Sequence, residues 1–291
     1  MRPAQTHAAV RRAARERGRL PGEFLTLYGL ERFIARLGQT SYRDDFALKG
    51  GVLLAAYRLR RPTRDVDLQA LEFTLDEQHL RAVIAAVAAV DADDGLVIDP
   101  NVTVEQIRDD DQYTGLRVHM TATLHTFRMT VKLDISAGDP IWPEPELVEL
   151  PALLGGTVSV LGHPLPTVIA EKTATMLQRG TTSTRWRDFV DVRSLARTHT
   201  FRAGDLRAAA ARVTAHRQVA LGPIGPGLAG YGTLAQTRWT AWRRKNALTE
   251  STLADFDAQV ADVVAFIDPV YAGLVADDAT WNPDTYQWGT E

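Results

Sequence analysis

Within His125–Ser136, apolar and polar residues alternate without a break from Phe127 onward. Phe127, Met129, Val131, Leu133 and Ile135 fall on one side, and Arg128, Thr130, Lys132 and Asp134 on the other. Side chains alternate along a strand, so this spacing predicts a β-strand with one apolar and one polar face. Gly115–Leu124, just before it, reads as a partner strand, and Val66–Phe73 as another. Short strands are expected within 147–161, and helices over 23–37 and 76–90. After Pro166 the spacing turns helical, over Thr167–Arg179, Arg185–Arg197 and Asp205–Arg217, with two further helices over 233–248 and 250–266. The chain therefore reads as an α/β N-terminal half, residues 1–165, and a mainly helical C-terminal half, residues 166–291. The run 222–232 (GPIGPGLAGYG) reads as a loop, 91–94 and 109–111 as solvated acidic loops, and the segment holding Trp281 and Trp288 as a tail.

Hydrophobic residues make up 45% of the 291 residues and charged residues 24%, enough to build a sizeable core. There are no cysteines, which excludes a disulfide framework, zinc-thiolate sites, iron–sulfur clusters and a cysteine nucleophile. The formal net charge of −3 does not indicate a globally basic nucleic-acid binder. No signal peptide and no apolar run of membrane-spanning length stand out, so a cytoplasmic protein without a membrane partner is expected. No HExxH, GxSxG, Walker A or GxGxxG pattern occurs. The basic residues divide into 29 arginines and four lysines, Lys49, Lys132, Lys172 and Lys245.

The strongest local pattern is Lys49-Gly50-Gly51, then 13 residues, then Asp65-Val66-Asp67. A glycine pair followed by a helix, expected to begin over Val52–Tyr57, leaves backbone N–H groups able to meet phosphate. Two aspartates at i and i+2 on a strand point the same way and can share a hard divalent cation. Together they describe a phosphoryl or nucleotidyl transfer site. Asp134 lies on the polar face with Lys132 two residues before it, and fits a supplementary metal ligand or a base. An ion pair with Lys132 or Arg128 is the structural alternative. Downstream, Lys172 follows Glu171 on one helix, while Asp188 and Asp191 share a face of the next. These either serve a triphosphate or form an interhelical salt-bridge network.

The set KGG, RPTRDVD, KLD, EK and RDFVD resembles the AbiEii/MenT-type nucleotidyltransferase toxins, within the DNA polymerase β-like nucleotidyltransferase superfamily. The resemblance covers residues 45–195 in motif terms. It implies an α+β fold, with a polymerase β-like core of mixed sheet and flanking helices and a mainly helical C-terminal region that completes the active site. The superfamily's glycine and D-x-D pattern falls on Gly50, Gly51, Asp65 and Asp67. The central lysine falls on Lys172, and the C-terminal aspartate pair on Asp188 and Asp191. Many relatives carry serine where this chain has Gly51.

The implied catalytic residues are Asp65, Asp67, Lys172, Asp191, Asp188 and Asp134. Asp65, Asp67 and Asp134 are expected to hold magnesium, with manganese as a substitute. Lys49, Gly50, Gly51, Thr63, Arg64 and Lys132 are the expected nucleotide-binding residues. The implied activity is transfer of a nucleoside monophosphate from an NTP to RNA, at the tRNA 3′ acceptor end, blocking aminoacylation and translation. A cognate antitoxin is the implied partner. Two alternatives stay open: a nucleotidyltransferase acting on a protein or small molecule, and a non-catalytic nucleotide-binding regulator. Arginine clusters offer phosphate contacts: Arg58, Arg60, Arg61 and Arg64; Arg179, Arg185, Arg187, Arg193 and Arg197; and Arg238, Arg243, Arg244 and Lys245 interleaved with Trp239 and Trp242. Arg11, Arg12, Arg15, Arg17 and Arg19 read as a solvated helix face or a phosphate-contacting arm.

Overall fold

Prolines open the first two helices, α1 (Pro3–Glu16) and α2 (Pro21–Leu37). A proline there gives up only an N–H that the helix leaves unbonded. The computed structural model describes residues 2–59, 63–108 and 114–289. They form two compact units: Met1–Gly138 with Pro145–His163, and Asp139–Glu144 with Pro164–Glu291.

In the first unit the chain continues through β1 (Phe46–Lys49), α3 (Gly50–Leu53), β2 (Asp65–Ala70), α4 (Glu77–Ala89), β3 (Leu96–Ile98) and β4 (Thr103–Arg108). Then come β5 (Thr114–Leu124), β6 (Phe127–Ser136), β7 (Glu146–Pro151) and β8 (Thr157–Gly162). The strands make one mixed sheet in the order β3-β5-β6-β2-β1-β8-β7, with β4 also on β5. β2 runs parallel to β6, and β5 antiparallel to it. The β5–β6 hairpin turns at His125 and Thr126, where His125 adopts φ 55°, and pairs Leu124 with Phe127. Val131, Leu133 and Ile135 on β6 and Val66 and Leu68 on β2 are buried together on one face. α2 packs on β6 so closely that a Cβ on Gly29 would collide with the Met129 sulfur. Asp76 caps α4 by accepting a hydrogen bond from the His79 N–H at 2.8 Å.

Two expectations change here. The helix after the glycine pair spans only Gly50–Leu53, and the chain then continues in turns to Arg58, at φ 61°. The stretch 91–94 is not uniformly solvated, because Asp94 is buried in an ion pair with Arg36 at 2.6 Å. Residues 109–111 and Arg60 and Arg61 lie outside the described residues.

The second unit comprises α5 (Leu165–Arg179), α6 (Trp186–Ala196), β9 (Phe201–Arg202), α7 (Ala203–His216), α8 (Tyr231–Lys245) and α9 (Phe256–Tyr271), followed by β10 (Thr280–Asn282) and β11 (Gln287–Gly289). α9 starts later than its spacing predicts because Asp255 is its cap, accepting from the Asp257 N–H at 2.8 Å. The expected tail is instead a hairpin, β10–β11, that extends β9. Trp281 is fully buried there and donates to the Ala196 carbonyl at 2.7 Å. The glycine–proline loop is pinned where Asp268 accepts from the Ile224 and Gly225 N–H groups.

The strap 139–144 is bound within this unit. Arg217 holds Asp139 through two bonds, the shorter 2.8 Å, and Trp142 and Thr167 exchange two hydrogen bonds of 2.8 Å. The Arg212 guanidinium lies 3.9 Å from the Trp142 ring centre. Among the described residues no helix is long and apolar enough to cross a membrane.

Candidate active site

The sheet's polar face brings several of the expected residues into register. Lys49 lies opposite Asp67, Asp67 beside Asp134, and Asp134 opposite Arg117, with Glu105 beyond Arg117 on β4. A neighbouring row runs from Asp65 to Lys132 to His119. Lys49, Asp65, Asp67, Lys132 and Asp134 are all half-buried, as alternation on a one-sided sheet requires. Thr63, itself buried, donates its hydroxyl to Asp65 Oδ1 at 3.0 Å, and Arg64 is exposed.

Gly50 explains why glycine pattern and aspartate pair occur together. Its φ is 64°, in the left-handed region that glycine tolerates best. A Cβ at that position would overlap the Asp67 carboxylate. The turn between β1 and α3 therefore leaves the space that Asp67 fills.

Asp134 is paired with Arg117, a residue its sequence neighbours did not suggest. Arg117 Nε and Nη2 donate to the two Asp134 oxygens, each at 2.7 Å. Hydrogen bonding to Asp134 raises the Arg117 pKa above its ordinary range, against a smaller opposing effect of desolvation. The ion-pair partner is thus the cross-strand arginine, not Lys132 or Arg128. A two-residue hairpin loop fixes the antiparallel register, and counting back from the Leu124–Phe127 pair reaches Arg117 and Asp134. Among the described residues no group of three acidic or histidine side chains is preassembled for a metal. The donors that fit one are Asp65 and Asp67, two hard oxygen ligands on a single face. Magnesium is commonly bound by one or two carboxylates together with substrate phosphates and water.

In the second unit Lys172 sits between two carboxylates. Its Nζ donates to Asp188 Oδ1 and Asp191 Oδ2, both at 2.8 Å. The lysine side chain is 13% exposed, Asp188 15% and Asp191 3%. Asp188 lies in the first turn of α6, where the helix dipole favours an anion. Asp191 stands one turn on, on the same face. An ammonium has three donors, and two are directed here by carboxylates that fix its position.

The arginine and tryptophan clusters separate into two groups. Trp239 is fully buried and stacked on Phe256 at 4.7 Å, so it is core and not a base-stacking platform. Arg243 is buried as well, donating to Thr252 Oγ1 at 2.7 Å. Arg193 and Arg197 both bond Asp262 on α9. Arg185, Arg187, Arg238 and Arg244 are exposed, as are Arg11, Arg12, Arg15 and Arg17.

The family model described as "Nucleotidyl transferase AbiEii toxin, Type IV TA system" matches residues 32–274. The chain belongs to the AbiEii nucleotidyltransferase toxin family. The AbiEii match takes in every expected site residue, from Lys49 to Asp191. Among solved structures, MenT4, a nucleotidyltransferase toxin from Mycobacterium tuberculosis, is 19% identical with a TM-score of 0.50, the match covering 75% of each chain. JHP933 from Helicobacter pylori is 18% identical with a TM-score of 0.40, over 74% of this chain and 91% of that one. No curated protein matched significantly. This AbiEii chain thus has the α+β, polymerase β-like fold of the nucleotidyltransferase toxins.

Proposed function

We propose that this AbiEii-family chain transfers a nucleoside monophosphate from an NTP to RNA, at the tRNA 3′ acceptor end, and so blocks aminoacylation and translation. The observation that carries the reading is the Asp65–Asp67 pair on the polar sheet face, with Asp67 seated against Gly50. In this reading an RNA hydroxyl oxygen bonds to the α-phosphorus of the NTP. The bond from that phosphorus to the β-phosphate bridging oxygen breaks, releasing pyrophosphate and the hydroxyl proton.

Asp65 and Asp67 are the residues that would hold magnesium, with manganese as a substitute and Asp134 as a supplementary ligand. When bound, the ion supplies charge neutralisation at the phosphates. Lys49, the Gly50–Gly51 turn, Thr63, Arg64 and Lys132 bind the nucleotide. Lys172, fixed by Asp188 and Asp191, binds the triphosphate. Transfer of this kind rests on positioning and electrostatics more than on covalent chemistry. The exposed Arg185, Arg187, Arg238 and Arg244 offer guanidinium groups to RNA phosphates. A cognate antitoxin is the partner expected of a toxin in such a pair.

Incubation with each of four α-labelled NTPs and total RNA tests the reading. Label is expected in RNA of tRNA size, and absent with Asp65→Ala or Lys172→Ala. Label confined to the protein fraction would replace RNA by a protein acceptor. Magnesium-dependent NTP binding without pyrophosphate release would replace the enzyme by a regulator.

A further inference from the structure

Arg117 has no counterpart in the motifs that mark the site, yet it controls both oxygens of the carboxylate adjacent in register to Asp67. Asp67 and Asp134 are neighbours across the β2–β6 pair, and like charges in that relation repel. Only a planar guanidinium can take both carboxylate oxygens through parallel bonds, whereas an ammonium acts as a point charge. Lys132 stands two residues before Asp134 on the same face, so a basic residue was already at hand. What Arg117 adds is the two-toothed geometry, at 31% exposure for the arginine side chain and 20% for the aspartate.

We propose that Arg117 is a positioning residue that competes with a divalent cation for Asp134 and thereby sets the cation affinity of the site. The inference rests on the reading that Asp65 and Asp67 hold the cation. Each Asp134 oxygen already gives one lone pair to an Arg117 N–H, so a cation bound there shares the carboxylate's charge with the guanidinium. Replacing the two-toothed grip by a single-point contact frees one Asp134 oxygen from this sharing and tightens cation binding. Charge removal alone does not account for this effect, because Arg117→Lys keeps the charge.

Mn2+ titration of the full chain, with free Mn2+ followed by electron paramagnetic resonance, reads the affinity directly. Arg117→Lys is expected to lower the Mn2+ dissociation constant by about tenfold, opposite in sign to the loss of affinity that follows removal of a partner that supports a metal ligand. Arg117→Gln repeats the test without the charge and is expected to tighten binding at least as much. In an Asp134→Asn background the Arg117→Lys change is expected to leave Mn2+ affinity unaltered. Unchanged or weaker binding in Arg117→Lys overturns the proposal, as does tightening that persists without Asp134. If the wild-type chain binds no Mn2+ that Asp65→Ala removes, the metal reading falls together with this one. If the wild type binds and only the Arg117 variants fail to tighten, the role of Arg117 alone falls.

Discussion

The polar face of the sheet and the lysine clamp of the helical unit both hold carboxylates close to cations, but in different solvent. On the sheet, Asp65, Asp67 and Asp134 are partly exposed, Asp134 to 20%, and water still screens them. In the clamp, Asp191 is 3% exposed and Lys172 13%, so each charge depends on the other for its solvation. Paired charges taken out of water become costly when one partner is removed. Chemistry and stability should therefore be separable on the sheet and coupled in the clamp.

Four substitutions test that contrast, measured by urea denaturation alongside NTP transfer. Lys172→Ala leaves two aspartates without their shared cation and is expected to cost about 3–5 kcal/mol while abolishing transfer. Full stability in that variant would show that the clamp is not energetically coupled. Lys172→Arg keeps the charge but forces a broad guanidinium between carboxylates spaced for an ammonium, at an expected cost of about 1–3 kcal/mol with impaired transfer. Near-normal activity would mean that any cation serves at this position.

Gly50→Ala imposes a Cβ on a left-handed residue, costing about 1–2 kcal/mol. It also displaces the Asp67 carboxylate, so transfer should fall further than stability does. Asp67→Asn keeps the side-chain shape and should cost about 1 kcal/mol, less than the loss of Lys172, while lowering transfer by roughly 10²–10³-fold. A large loss of stability there would erase the distinction between the two regions.

The features legible in sequence are those that local periodicity encodes. Alternation over Phe127–Ile135 gave β6 and assigned Lys132 and Asp134 to its polar face. Helical spacing located α5, α6 and α7 to within about two residues, the usual uncertainty of helix ends. The shared orientation of Asp65 and Asp67 followed from their i, i+2 spacing alone.

Features that depend on partners were not legible. The Arg117–Asp134 pair needs the hairpin register, which a 17-residue separation conceals until the turn is placed. The basic, tryptophan-bearing stretch 238–245 looked like a nucleic-acid surface because composition does not say which side of a helix is inside. The structure turns Trp239 and Arg243 into the core. The C-terminal strands are three residues each, too short for a periodic signal, and their order comes from pairing with β9 and the burial of Trp281.

The strap at Asp139–Glu144 bears on how this protein can be dissected. The polypeptide changes unit at Gly138–Asp139, at Glu144–Pro145 and again at His163–Pro164. No single cleavage point separates the two, so a fragment beginning at Pro164 would retain Arg217, Thr167 and Arg212 but lose Asp139 and Trp142, which they grip. Gene fusion or domain shuffling at one junction would split a unit's own contacts. The two units are therefore expected to be inherited, expressed and lost together.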